Sequence, residues 1–246
     1  MVLTGKVAVI LGASSGIGEG LARSLAKEPL KALVLAARRE DRLYSLAREL
    51  GPQVTVRRTD AGVPEEIRSL IDETVRVHGA IDFFFYTAGM IQAPTPTEHV
   101  TPEFWKTITE VNLIAPGTVA SYLAPVFYGQ HHGIYLVISS IAGRNVFAEE
   151  GPYSATKAGL DHFIRSFDKE LESHRRNGQE IYAFAVGPGL VRTVEARKQF
   201  PDIPEEVWSR VPSSEQFGAH LVDIIKYPRS VFETFGPVQH VETVTF

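Results

Sequence analysis

Short apolar runs alternate along the chain with longer stretches in which apolar residues recur every three or four positions. The short runs at Lys6–Leu11, Ala32–Ala37, Gln53–Arg58, Ile81–Tyr86, Ile134–Ser139 and Glu180–Val186 predict strands. A weaker run, Val231–Phe235, predicts a seventh. The periodic stretches at 16–28, 40–50, 64–78, 102–128, 152–177 and 213–226 predict helices. Their ends carry signals. Pro64-Glu65-Glu66 and Thr101-Pro102-Glu103 suit first turns, where free N–H groups favour acids and proline loses nothing; Gly51 and Gly79 suit stops.

Runs such as Ala8–Leu11 and Phe83–Tyr86 are apolar at every position, as in strands buried on both faces. Their alternation with helices predicts βαβ units. The expected fold is α/β: one doubly wound domain over 1–246, with a seven-stranded parallel sheet and helices on both faces. Only 190–212 breaks the rhythm, mixing charges with Phe200, Pro201, Pro204 and Trp208; a small substrate lid is expected there.

Composition narrows the choice. The 246 residues are 44% hydrophobic and 22% charged, which excludes a disordered or fibrous chain. Lys plus Arg number 25 and Asp plus Glu 29, a net charge of −4 without a basic block, so no nucleic-acid partner is expected. There is no Cys, hence no disulfide framework and no thiolate nucleophile or metal ligand. Uninterrupted apolar runs fall far short of the ~20 residues of a membrane helix. Met1–Lys6 leads into a strand with no leader-like pattern. A cytoplasmic protein without membrane contact is expected. The eight His show neither His-Glu-x-x-His nor His-x-x-Glu-His spacing, so no metal is assigned; His131 and His132, between Gly129 and Gly133, are expected in solvent.

The first strand runs into Gly12-Ala13-Ser14-Ser15-Gly16-Ile17-Gly18, which opens a helix. A tight strand-to-helix turn needs glycine, and a pyrophosphate can approach backbone that lacks Cβ atoms. The helix N-terminus adds free N–H groups and a positive dipole end. The spacing is not the commoner Gly-x-Gly-x-x-Gly, and it is not a P-loop, because Ile17 and Gly18 stand where that motif has Gly and Lys. Dinucleotide folds keep an acid for the ribose 2′-hydroxyl about 20 residues past the glycines. Here that place is Ala37, followed by Arg38 and Arg39. Their guanidinium groups can fork onto a 2′-phosphate and stack on adenine; alternatively they are solvated and paired with Glu40 and Asp41.

Tyr153 and Lys157 lie four apart on a predicted helix and share a face. A phenol, with a reference pKa of about 10, becomes a usable acid or base when an ammonium stabilises its anion. Ser140 follows the fifth strand, at the carboxyl edge where open α/β sheets bind ligands, and its hydroxyl can donate to a substrate oxygen.

With these residues in place the chain resembles the short-chain dehydrogenase/reductase family over nearly its whole length. The resemblance rests on Gly12, Gly16, Gly18, Asp60, Thr87-Ala88-Gly89, Asn112, Ser140, Tyr153, Lys157 and Pro188-Gly189-Leu190-Val191-Arg192-Thr193, in this order and spacing. It implies a single Rossmann domain and hydride transfer between NADP(H) and a small-molecule carbonyl or alcohol. Tyr153 would be the general acid/base and Ser140 would orient the reacting oxygen. Lys157 would hold the nicotinamide ribose and lower the pKa of Tyr153, and Asn112 would hold a water linking Lys157 to solvent. Gly12, Ser14, Ser15, Gly16, Ile17 and Gly18 would cradle the phosphates. Arg38 and Arg39 would take the 2′-phosphate, Asp60 the adenine, and Ala88 and Gly89 the adenosine side. Pro188, Gly189, Val191 and Thr193 would line the nicotinamide end. Use of NAD by the same site, as in an NAD-dependent alcohol dehydrogenase, stays open. So does a non-catalytic NADP(H)-sensing protein.

Several features depart from the family pattern or extend it. Tyr86-Thr87 replaces Asn-Asn, and the chain closes from Phe235-Gly236-Pro237-Val238 to Phe246 without Val-Asp-Gly-Gly. Glu149 and Glu150 precede Tyr153 and are expected as solvated loop acids. Substrate walls are expected from Met90, Ile91, Ile141, Val146, Phe147, Leu190, Phe200, Val207 and Trp208, with Arg144 and Arg192 available to a carboxylate. Helices 102–128 and 152–177 are apolar on more than one face, so a homodimer or homotetramer through them is expected. Pro116, four residues after Asn112, has no N–H for that carbonyl in a regular helix and predicts a water or a local bulge there.

Overall fold

The runs that are apolar at every position become the central strands of a sheet. In the computed structural model, which describes residues 2–241, β1 (Val7–Leu11), β2 (Ala32–Ala37) and β4 (Phe83–Tyr86) are buried throughout. With β3 (Val54–Arg58), β5 (His132–Ile138), β6 (Glu180–Pro188) and β7 (Val238–Val241) they form one parallel sheet in the order β3-β2-β1-β4-β5-β6-β7. Side chains alternate between two cores. Ala8 and Ile10 meet α1 (Gly16–Leu25), α2 (Glu40–Leu50) and α9 (Ser214–Lys226) through Leu21, Leu43 and Leu221. Val9 and Leu11 meet α3 (Pro64–His78), α5 (Ala115–Gln130) and α6 (Gly151–Arg176) through Ile67, Val119 and Ile164. Strand order reverses between β1 and β4, where Leu11 lies level with Ala36 and with Tyr86. The carboxyl ends of these strands therefore open a crevice at the switch point.

The seventh strand is not where the pattern suggested. Val231–Phe235 belongs to α10 (Pro228–Phe235), and β7 follows it. Val231, Phe232 and Phe235 have helical spacing, Pro228 sits in the first turn, and Gly236, at φ 70°, ends the helix. The Phe232 ring packs 5.8 Å from Tyr182 and 6.4 Å from Phe184, so its apolarity serves helix-on-sheet packing. The tail at 242–246 lies outside the described residues.

The expected helix 102–128 is broken. α4 (Pro102–Thr109) passes into a π-helical turn, Glu110–Ile114, before α5, and the Ala115 N–H bonds to the Glu110 carbonyl. In that register the next donor would be Pro116 and its acceptor Val111. Proline has none to give, and the Tyr86 hydroxyl donates to the Val111 carbonyl at 2.6 Å instead. The bulge is present, but the carbonyl facing Pro116 is that of Val111, not of Asn112, because a π turn shifts the pairing by one residue. By length and apolarity alone 102–130 could cross a membrane. Here Val119, Leu123 and Phe127 are buried in the second core. His132 is not left in solvent: its Nε2 lies 2.9 Å from Asp82 Oδ1 as β5 begins.

The segment after β6 folds into two short helices, α7 (Val194–Gln199) and α8 (Glu205–Arg210), over a small core of Ala196, Trp208 and Val211. Arg197 stacks 5.1 Å over the Trp208 ring.

Candidate active site

The crevice is shaped first by glycine. Gly12, at φ 108°, follows β1 directly, and a Cβ there would collide with the Ala88 backbone. That approach lets the Thr87 and Ala88 N–H groups reach the Leu11 carbonyl at 2.8 and 3.0 Å, joining the ends of β1 and β4. Gly12→Ala should therefore destabilise the fold by roughly 1–3 kcal/mol through overpacking. Urea unfolding measures this, and an unchanged midpoint would mean that the two ends separate freely. Gly18 packs in the same way against the Gly12 carbonyl and stands behind the cavity wall.

A cavity of about 620 Å³ runs across the carboxyl ends of the strands. Strand order sets its two ends. Towards β2 and β3 it is lined by Ser14, Ser15, Arg38, Arg39 and Asp60; towards β5 and β6 by Ser140, Tyr153, Lys157, Pro188, Gly189, Val191 and Thr193. Gly12, Gly16, Ile17, Ala88 and Gly89 lie between, over β1 and β4. Arg39 turns towards the glycine turn and away from Glu40 and Asp41. Its Nε and Nη2 donate to Ser14 Oγ at 3.1 and 3.0 Å, and Nη2 to Ser15 Oγ at 2.6 Å. Asp60 Oδ1 accepts the Gly62 N–H at 2.9 Å.

At the other end Ser140 begins a one-turn 3-10 helix, Ile141–Gly143, and its Oγ accepts the Ala142 N–H at 3.1 Å. Tyr153 and Lys157 project from one face of α6. The Lys157 ammonium donates to the Ile138 carbonyl at 2.9 Å and lies 5.6 Å from the Tyr153 ring centroid. Burial dominates both groups. It pushes the Tyr153 phenol up to about 12, against the opposing pull of the Ser140 hydroxyl, with Glu150 adding to the rise. Burial also pulls the Lys157 ammonium down to about 8, partly offset by Asp161. The expected lowering of the phenol by Lys157 is not among these influences: burial sets the direction, and the opposing pull comes from Ser140.

Asn112, in the π turn, stands off the cavity. Its Oδ1 accepts the Met90 N–H at 2.8 Å, and its Nδ2 donates to the Met90 carbonyl at 3.0 Å and to Thr156 Oγ1 at 3.3 Å. The side chain ties the loop after β4 to α6. Thr87, in the place of the family's asparagine, donates to the Leu11 carbonyl at 3.1 Å.

The substrate walls differ in part from expectation. Met90, Ile91, Ile141, Phe147, Leu190 and Phe200 line the cavity, but Val146, Val207 and Trp208 do not. Val146 is 97% exposed and Trp208 is spent on the small core under α7 and α8. Arg144 and Arg192 are also off the wall, whereas Glu150 is on it and half-buried. Gln92 was not legible at all. It is buried, its Oε1 accepting the Tyr153 N–H at 3.2 Å and its Nε2 donating to the Glu149 carbonyl at 3.1 Å. A lone Gln in an irregular loop carries no periodic or motif signal. Among the described residues no group of three or more His, Asp or Glu is placed to hold a metal.

A parallel sheet with this strand order, a glycine turn after β1 and a Ser–Tyr–Lys set above β5 define a nucleotide-binding oxidoreductase architecture. Residues 6–204 match the short chain dehydrogenase family, and the chain belongs to it. It is 34% identical over 193 residues to an uncharacterized oxidoreductase of Staphylococcus aureus (strain MRSA252), covering 78% of this chain and 80% of the relative. An uncharacterized oxidoreductase of Staphylococcus haemolyticus (strain JCSC1435) is 31% identical over 192 residues, with coverage of 78% and 80%. A metagenomic short-chain oxidoreductase solved in complex with NADP superposes with a TM-score of 0.78 at 25% identity, covering 99% of each chain. An alcohol dehydrogenase from the archaeon Thermococcus sibiricus, complexed with 5-hydroxy-NADP, gives 0.81 at 26% identity, covering 96% and 95%. The protein is an oxidoreductase of a family that uses nicotinamide cofactors.

Proposed function

We propose that the protein is an NADP(H)-dependent carbonyl reductase, or an alcohol dehydrogenase in the reverse direction, with Tyr153 as its proton donor. The observation that carries this reading is the meeting of Ser140, Tyr153 and Lys157 in one cavity whose other end is lined by Arg38 and Arg39. The residues fit a dinucleotide. Gly16 leaves backbone bare at the α1 N-terminus, where free N–H groups suit a pyrophosphate. Arg39, held by two serine hydroxyls, suits a further phosphate. When bound, such a cofactor supplies or accepts the hydride.

The chain's own groups then handle the oxygen. Ser140 Oγ holds the substrate oxygen, and the Tyr153 hydroxyl gives it a proton in reduction or takes one in oxidation. Lys157 holds the ribose and stabilises the phenolate left behind. Asn112 fixes the Met90 loop against α6 and, by its place in the π turn, serves the water path to Lys157. Pro188, Gly189, Val191 and Thr193 orient the nicotinamide, with 190–212 as lid. A buried site of this kind strengthens each of these contacts by excluding water.

The choice of NADP(H) draws on Ala37 in the acid's place, on the Arg39 geometry and on the two NADP-type relatives. Ala37→Asp with Arg39→Leu should shift preference towards NADH, weakening NADPH on the order of tenfold to hundredfold. A parent protein that already prefers NADH in steady-state assays would refute this. NADPH oxidation across a panel of carbonyls separates the enzyme from a non-catalytic cofactor sensor. A homodimer or homotetramer through the 102–128 and 152–177 helices accords with Trp105 and Ile114, 41% and 49% exposed, and light scattering tests it. A cytoplasmic location accords with the absence of cysteine.

A further inference from the structure

The substrate end of the cavity holds a carboxylate that the reaction above leaves unused. Glu150 occupies the N-cap of α6, yet its side chain makes no cap bond. An acid there ordinarily turns towards the free N–H groups of the first turn. At the positions after Gly151 no donor is left for it. Pro152 has none, the Tyr153 N–H goes to Gln92 Oε1, and the Ser154 N–H goes to the Glu150 carbonyl at 2.9 Å. The preceding residue is clamped as well, its carbonyl accepting from Gln92 Nε2 at 3.1 Å and from the Thr95 N–H at 2.9 Å.

Glu150 is thereby set half-buried in the cavity wall, where desolvation raises its pKa. Its carboxylate has no hydrogen-bond or ion-pair partner among the described residues. The same cavity is lined by the apolar Met90, Ile91, Ile141 and Phe147. The cavity's cations are Lys157, engaged at Ile138, and the two arginines at the distant end. A half-buried carboxylate without a protein partner is open to a ligand ammonium, which it can hold through a charge-assisted hydrogen bond.

Resting on the oxidoreductase reading of this site, we infer that Glu150 selects substrates bearing a protonated amine next to the reacting carbon: β-amino alcohols and the corresponding α-amino ketones. A carboxylate in the same place meets like charge and is disfavoured.

Three carbinols of closely similar size test this. Phenylethanolamine, α-ethylbenzyl alcohol and mandelate place an aminomethyl, an ethyl and a carboxylate group on the same carbon. The expected kcat/KM for the amine exceeds that for the ethyl compound by roughly tenfold to hundredfold, with mandelate poorest. In Glu150→Gln the amine-to-ethyl ratio falls close to one, and Glu150→Asp restores part of it. Calorimetric affinities for the NADP+ complex should follow the same order whether or not the alcohols turn over. Amine binding no tighter than ethyl binding overturns the inference, as does a preference that survives Glu150→Gln. A Glu150→Gln variant that loses NADP+ affinity but keeps the ratio also overturns it, since Glu150 would then serve the cofactor. The expected order of affinities without any turnover overturns the catalytic reading and leaves the selectivity standing.

Discussion

Tyr153→Phe is expected to lower kcat by about 10²–10⁴-fold, the usual contribution of a positioned general acid. The phenol is buried at the Ser140 end of the cavity, and a phenol is intrinsically more acidic than the alkyl hydroxyls of Ser139 and Ser140 beside it. Burial raises the pKa of the Glu150 carboxyl, and one donor of the Lys157 ammonium is held by the Ile138 carbonyl. The ring itself remains in the variant, so the wall of the cavity keeps its shape and NADPH affinity should change little. Single-turnover kinetics together with a fluorescence titration of NADPH would check both halves. A variant that keeps its rate would move the proton donor elsewhere, and one that loses cofactor binding would make the hydroxyl a ligand instead.

Lys157→Met is expected to change how stability depends on pH. Burial pulls the Lys157 ammonium from its ordinary 10.5 down to about 8. Between those values the unfolded chain still binds a proton that the folded chain has released. Stability contributed by this group therefore rises with pH across that window and is lowered by a constant amount beneath it. The methionine variant has no such titration. Relative to the parent it should be more stable at pH 7 than at pH 10 by roughly 2 kcal/mol. The bond to the Ile138 carbonyl is lost at both values and cancels in the comparison. Urea unfolding of the two proteins at each pH gives the difference. If that difference does not vary with pH, the ammonium is solvated. The same variant should weaken cofactor binding, because the ribose loses its cation.

Much of this architecture is written locally. A strand buried on both faces must be apolar at each residue, and β1, β2 and β4 are. A backbone at φ 108° that another strand end approaches must be glycine, as at position 12. Tyr153 and Lys157 share a face because any helix puts residues four apart together. These demands act within a few residues, so they leave a readable pattern. The parallel strands, the shared face of Tyr153 and Lys157 and the arginines at the end of β2 follow from such local signals.

Other features depend on what a segment touches, and the pattern is then ambiguous or silent. Val231–Phe235 is apolar enough for a strand, but the aromatic rings of β6 receive it as a helix. The carbonyl opposed to Pro116 depends on a π turn whose orphan is satisfied by Tyr86, more than twenty residues away. The pKa of Tyr153 is set by how deeply the phenol is buried, which no i, i+4 spacing reveals. Gln92 matters only because α6 and the residue before its N-cap converge on its amide. Glu150 faces the cavity only because Gln92 has taken its place at the helix end. By itself, then, the sequence determined most of the elements, the parallel character of the sheet and the kinds of group at the site, because propensity and hydrophobic period act at short range. Tertiary structure alone decided burial, and with it the protonation of Tyr153 and Lys157 and the direction of Glu150, because desolvation is a property of the assembled surroundings.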